Sequence, residues 1–150
     1  MVQIVLVGLN HKSAPVEVRE RFSFSQEAIE EGLIKLYQKK SVEECSVLST
    51  CNRVEVYAVS GDADQCVREI KEFLCEFHRI PLDFFSSYLY VLFGHTAVGH
   101  LFRVASSLDS MVIGEPQILG QVKEAYKTAN LKGTTGLILN RLFHSAFFVA

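Results

Sequence analysis

Short apolar runs and longer stretches of helical period take turns along this chain. Residues 2–9 form the first apolar run and read as a strand. A polar loop, Asn10-His11-Lys12-Ser13-Ala14-Pro15, follows it, and then a short charged stretch over 16–21. Ser25 stands where a helix N-cap belongs, and Ala28, Ile29, Leu33, Leu36 and Tyr37 recur on one face of a helix over 26–39. The run at 45–48 and the alternating stretch at 54–59 predict two strands, the second half-buried because every other position is apolar. A turn at 61–64 opens a helix over 64–78, in which Cys66, Val67, Ile70, Phe73, Leu74 and Phe77 are spaced for burial. After Pro81 and a short turn, residues 88–93 read as a fourth strand, and helices are expected over 95–106, 116–131 and 134–150. The order β-α-β-β-α-β is the split βαβ arrangement. The expected class is therefore α+β, a ferredoxin-like sheet-and-helix domain followed by additional helices. Such a frame hosts many activities, so chemistry has to be sought in particular residues.

Length and composition narrow the field. The chain has 150 residues, 49% hydrophobic and 21% charged, which fits one domain with a substantial core. The net charge of −2 gives no general attraction to nucleic acid. The N-terminal apolar run is too short to span a bilayer and lacks a basic lead-in, so a cytoplasmic location is expected. Cys45, Cys51, Cys66 and Cys75 show neither C-x-x-C spacing nor a small-domain disulfide pattern. The five histidines contain no H-x-x-x-H pair, and no metal site is expected. The apolar helical run that reaches Ala150 without a cap reads as a helix leading into further chain.

Ser49-Thr50-Cys51-Asn52-Arg53 is the segment with the most chemistry. It is polar and lies between two strands, which places Cys51 at an exposed connection rather than in the core. A cation two residues away, Arg53, favours the thiolate, and a thiolate is the reactive form of cysteine. The same pattern also suits a chance surface cysteine. A second segment, 106–121, carries Pro116 where a first helical turn suits it and Glu115 at the helix start. Gln117 and Gln121 are four apart, on a face away from Ile118, Val122 and Ala125. A carboxylate and two amides near helix N–H groups suit a small zwitterion, as they suit a solvated face.

Four stretches resemble the glutamyl-tRNA reductase family: G-L-N-H-K-S-A-P-V-E-V-R-E, L-S-T-C-N-R-V-E-V-Y, G-H-L-F-R-V-A-S-S-L-D-S-M-V-I-G-E-P-Q-I-L-G-Q-V-K and L-F-H-S-A-F. The resemblance covers almost the whole chain in the same order. It implies reduction of glutamyl-tRNA(Glu) to glutamate-1-semialdehyde through a cysteine thioester, the first committed step of tetrapyrrole synthesis. Family members continue into an NADPH-binding domain and a helical dimerisation domain. Residues 1–150 therefore resemble the N-terminal catalytic, glutamyl-tRNA-binding domain, with NADPH bound by a second domain absent from this chain. The resemblance makes Cys51 the nucleophile and His100 a residue important for activity. It lines the glutamate pocket with Thr50, Cys51, Asn52 and Arg53, faced by Ser110, Glu115, Pro116, Gln117 and Gln121. Arg53 is then the partner of the substrate's side-chain carboxylate, Glu115 that of its α-ammonium group. A homodimer of the full-length enzyme and a partnership with glutamate-1-semialdehyde aminotransferase are implied by the family as well. Two readings of other classes compete: a nucleic-acid-binding module on a ferredoxin-like sheet, and a glutamate-sensing regulatory domain.

Overall fold

A computed structural model describes residues 1–108 and 117–150. Ser110, Glu115 and Pro116 lie outside the described residues. The elements run β1 (Gln3–Asn10), α1 (Val16–Phe22), α2 (Gln26–Tyr37), β2 (Glu44–Ser49), β3 (Arg53–Ser60), α3 (Ala63–His78), α4 (Leu82–Phe85), β4 (Tyr90–Phe93), α5 (Gly94–Ala105), α6 (Gln117–Leu131) and α7 (Leu137–Val149). The four strands form one sheet in the order β2-β3-β1-β4, and every neighbouring pair is antiparallel.

Each strand sends alternate side chains to two separate cores. Val5, Val7 and Leu9 of β1 join Val54, Val56 and Ala58 of β3 in a core closed by α1, α2 and α3. Leu6 and Tyr57, from the other face, join Leu48, Leu101, Val122 and Phe143 in a core closed by α5, α6 and α7. Helices thus cover both faces, which explains why the first strand reads as a continuous apolar run. This corrects the expectation of a half-buried third strand. All eight residues of β3 are buried, including the charged Arg53 and Glu55.

Two local differences have simple causes. The charged stretch at 16–21 is helical: α1 has no side-chain cap, but Val18 and Phe22 are buried and its charges suit its ends, Glu17 first and Arg19 and Arg21 last. The fourth strand starts at Tyr90 rather than 88, because α4 and a 3-10 turn over Ser86–Tyr88 occupy the preceding residues. Phe85 is the buried anchor of that short segment. The outer edge of β2 is covered by the α6–α7 connection. Thr134 accepts from the Cys45 N–H through its carbonyl (2.8 Å) and donates its hydroxyl to the Cys45 carbonyl (2.9 Å). Among the described residues no helix is long and apolar enough to cross a membrane.

Candidate functional site

Cys51 and Asn52 form the tip of the β2–β3 hairpin. The ladder closes at Ser49↔Val54, and the Thr50 N–H donates to the Arg53 carbonyl (2.8 Å). The Thr50 hydroxyl accepts from the Asn52 N–H (3.1 Å), so the tip is ordered by its own side chain. Cys51 is exposed, whereas Cys45 and Cys66 are buried and Cys75 is partly so. Burial pushes the Cys45 thiol up to about 12 and the Cys66 thiol up to about 11. Burial, with the nearby Glu76 and Glu72, raises the Cys75 thiol as well, so the exposed thiol at the hairpin tip is the one best placed for thiol chemistry.

Two clefts share Ser49, at the end of β2, and the first of them reaches the tip. One, of about 360 Å³, is lined by Arg19, Glu20, Phe24, Ser49, Thr50 and Cys51. The other, of about 480 Å³, is lined by Gln26, Leu48, Ser49, Gln117, Gln121 and Glu124. The two glutamines are exposed on α6, while Ile118, Val122 and Ala125 are buried beneath them, as their spacing predicts. Both clefts have the size of small-molecule sites. A third, also about 480 Å³, lies between α2 and α3 beside Lys35, Lys39 and Phe77 and has no contact with the thiol loop.

Beneath the hairpin lies a buried charged cluster centred on Glu55, whose exposure is 0%. Arg53 Nη1 donates to Glu55 Oε2 (3.1 Å), and the Tyr57 hydroxyl donates to Oε1 (2.8 Å). The Tyr90 hydroxyl and His100 Nε2 both meet Oε2. Burial pushes the Glu55 carboxyl up, but the His100 hydrogen bond and the Arg53 charge outweigh it and hold it below the usual range. Tyr57, buried against that carboxylate, is pushed well above the ordinary tyrosine value. Gly8 makes the cluster possible. It pairs with Glu55 on one side and Tyr90 on the other, so the missing side chain lets the tyrosine reach across β1.

The cation two residues from the thiol is thus already engaged by a carboxylate. Arg53 is 1% exposed and paired with Glu55. His100 is on α5 as expected, but it is 6% exposed, faces Glu55 and lines neither of the clefts that share Ser49. Thr50 and Cys51 share one cleft, Gln117 and Gln121 share the other, and Asn52 is held in the tip. Glu55, Tyr57 and Tyr90 were missed by spacing. The available signal was a carboxylate two residues from both Arg53 and Tyr57, on one face of an otherwise apolar strand. Among the described residues no group of histidine, cysteine and acidic side chains could hold a metal ion.

These features define an α+β domain that presents one exposed thiol at a hairpin tip above a buried carboxylate cluster. Residues 7–150 match the family model described as the glutamyl-tRNAGlu reductase N-terminal domain. The glutamyl-tRNA reductase of Pelobacter propionicus is 53% identical over 149 residues, covering 99% of this chain and 34% of that protein. That of Thermodesulfovibrio yellowstonii is 50% identical over 156 residues, covering 99% and 36%. The solved glutamyl-tRNA reductase from Methanopyrus kandleri superposes with a TM-score of 0.76 at 38% identity, over 97% of this chain and 32% of that one. The chain belongs to the glutamyl-tRNA reductase family, and it spans about a third of the length of these relatives.

Proposed function

We propose that this chain is the acyl-accepting part of an enzyme that reduces glutamyl-tRNA(Glu) to glutamate-1-semialdehyde, at the entry to tetrapyrrole synthesis. The observation that carries the reading is the exposed Cys51 at the hairpin tip, lining a cleft of about 360 Å³, in a chain of this family. The Cys51 sulfur attacks the acyl carbon of the ester. The bond from that carbon to the terminal ribose oxygen breaks, and the ribose oxygen takes up a proton. Sulfur suits the task because a thiolate is a strong nucleophile near neutral pH, and a thioester is less resonance-stabilised than the ester it replaces.

In this reading the cleft of Gln117 and Gln121 receives the glutamyl group, with Ser110, Glu115 and Pro116 as its further contacts. Thr50 and Asn52 shape the tip. Arg53 is retained as the partner of the substrate's side-chain carboxylate, which would share or replace the partners the guanidinium already has. His100 acts through Glu55, keeping the Arg53–Glu55 pair in one arrangement. The strand order, with antiparallel neighbours throughout, supports a ferredoxin-like frame.

The reading implies NADPH, which when bound supplies hydride. The chain carries no glycine-rich strand–helix turn of the kind a dinucleotide needs. Binding by a further domain, a homodimer, a cytoplasmic location and hand-over of the aldehyde to the aminotransferase that consumes it belong to the same proposal. The test is the intact mass of the chain after incubation with glutamyl-tRNA. A hydroxylamine-sensitive glutamyl adduct is expected on the wild type and not on Cys51→Ser; an equal adduct on both proteins would refute the assignment. A nucleic-acid-binding module would give a tRNA complex with no covalent species.

A further inference from the structure

We infer that Arg19 is the residue that positions the nucleophile, by clamping the Cys51 turn to the loop after β1; the inference rests on the acyl-transfer reading above. Two-residue hairpins match the twist of their strands when one or both tip residues have positive φ. Neither Cys51 nor Asn52 does. The tip is therefore not one of the primed turns matched to strand twist, and beside the Thr50 N–H to Arg53 carbonyl bond it is held by side chains. The Thr50 hydroxyl fixes the Asn52 N–H from within. Arg19 works from outside, across 32 residues of sequence: its Nε donates to the Cys51 carbonyl (3.3 Å) and its Nη1 to the Ala14 carbonyl (2.7 Å).

The far end of this clamp is rigid. The Asn10 carbonyl accepts from the Ser13 and Ala14 N–H groups (3.1 and 2.9 Å), and Asn10 Oδ1 accepts from those of Lys12 and Ser13 (2.9 and 3.2 Å). Ala14 is buried, and Asn10 ends β1, one of the two inner strands of the sheet. The helix that carries Arg19 is seated by Val18 and Phe22 in the core. A guanidinium is the group for this task, since its planar fork can reach two carbonyls from one stem while an ammonium is a point charge. The carbonyl it holds belongs to the nucleophile itself, so its loss acts directly on where the sulfur sits. Arg19 also lines the 360 Å³ cleft with Cys51, so the clamp forms one wall of the approach to the thiol.

The test compares wild type, Arg19→Ala and Arg19→Lys in single-turnover acylation by glutamyl-tRNA, read as adduct mass. Misplacement by about 1 Å costs roughly a hundredfold, so Arg19→Ala is expected to acylate about ten- to a hundredfold more slowly. Its carbamidomethylation by iodoacetamide, a small reagent with no demand on orientation, should stay within about twofold of wild type. Added guanidinium ion should restore part of the Arg19→Ala rate, and Arg19→Lys should recover only part of it. An Arg19→Ala chain that acylates at the wild-type rate overturns the inference, as does a loss of acylation matched by an equal loss of alkylation. If the wild type itself forms no adduct, the acyl-transfer reading fails. Hydrogen exchange of the amides at 50–53 then decides the clamp: faster exchange in Arg19→Ala supports it, and equal exchange overturns it.

Discussion

Replacing Gly8 by alanine adds one methyl group at the centre of the sheet, where there is no room for it. An ideal Cβ at this position would lie 2.7 Å from the Val54 carbonyl oxygen and 2.8 Å from Glu55 Cγ, well inside an ordinary contact of 3.4–4 Å. The carbonyl belongs to the β1–β3 ladder and has little freedom to retreat. The Glu55 side chain is held by Arg53, Tyr57, Tyr90 and His100, and moving it disturbs all four. Overpacking of this kind costs about 1–3 kcal/mol, and loss of one hydrogen bond to a charged group about 1.5–3 kcal/mol. Against this stands the ordinary gain of about 0.5–1 kcal/mol when alanine replaces glycine within a strand. The net expectation is a loss of about 2–4 kcal/mol, or a fall in Tm of roughly 5–15 °C for a chain of this size. Urea unfolding followed by far-UV circular dichroism reads it directly. The sign is the decisive result. A Gly8→Ala chain as stable as wild type, or more stable, would mean that the position is an ordinary strand glycine and that the Glu55 cluster does not depend on it.

Two further outcomes follow from other parts of the molecule. Glu44 accepts from the N–H groups of Gly136, Ile138 and Leu139 (2.6, 3.3 and 2.9 Å) at the start of α7. Glu44→Ala should therefore cost about 2–3 kcal/mol in urea unfolding, with Glu44→Gln recovering part of it; an unchanged midpoint would contradict the capping role. His78 is enclosed by the rings of Phe22, Phe24 and Phe77, and burial lowers it to about 4 from an ordinary 6.5. The unfolded chain then takes up this proton first, so the stabilisation from keeping the ring neutral is complete above pH 6.5 and is lost as pH falls towards 4. Allowing for partial exposure, the loss is roughly 2 kcal/mol. His78→Phe should flatten that part of the stability profile, and a variant with the wild-type pH slope would assign the slope to other groups.

The parts of the fold that could be read in advance are those where one periodicity settles the matter. Ser25 and the apolar face of α2, the buried face of α3 and the glutamine face of α6 are such cases. Helix α1 resisted because it has seven residues, four of them charged, and no side-chain cap; it exists by tertiary burial of Val18 and Phe22. Strand β3 misled for a different reason. Alternation of polar and apolar residues reports a difference between two faces, and the usual cause is water on one of them. Here the polar face meets α5, α6 and α7 instead, and its charges pair with one another. Position in a polar connection was enough to place Cys51 at an exposed site. The Glu55 cluster needed the register, because Gly8, Glu55 and Tyr90 come from three strands and become neighbours only when those strands pair.

That register gives the buried cluster a physical use. A charged group taken out of water pays a desolvation cost that pairing returns only in part, so such clusters contribute little to net stability. What they penalise is the wrong arrangement. Slipping β3 by one residue would turn Arg53 and Glu55 into the apolar core formed with α1, α2 and α3, where Val54, Val56 and Ala58 now sit. Arg53, Glu55 and Tyr57 would move together, but Glu55 would leave Tyr90 and His100 behind, and the loss of these hydrogen bonds to a charged group, about 1.5–3 kcal/mol each, would oppose the slip. The hairpin tip moves with the strand. A fixed register for β3 therefore fixes where residue 51 emerges, Arg19 then holds the turn that carries it, and the sulfur is placed by the sheet rather than by the loop alone.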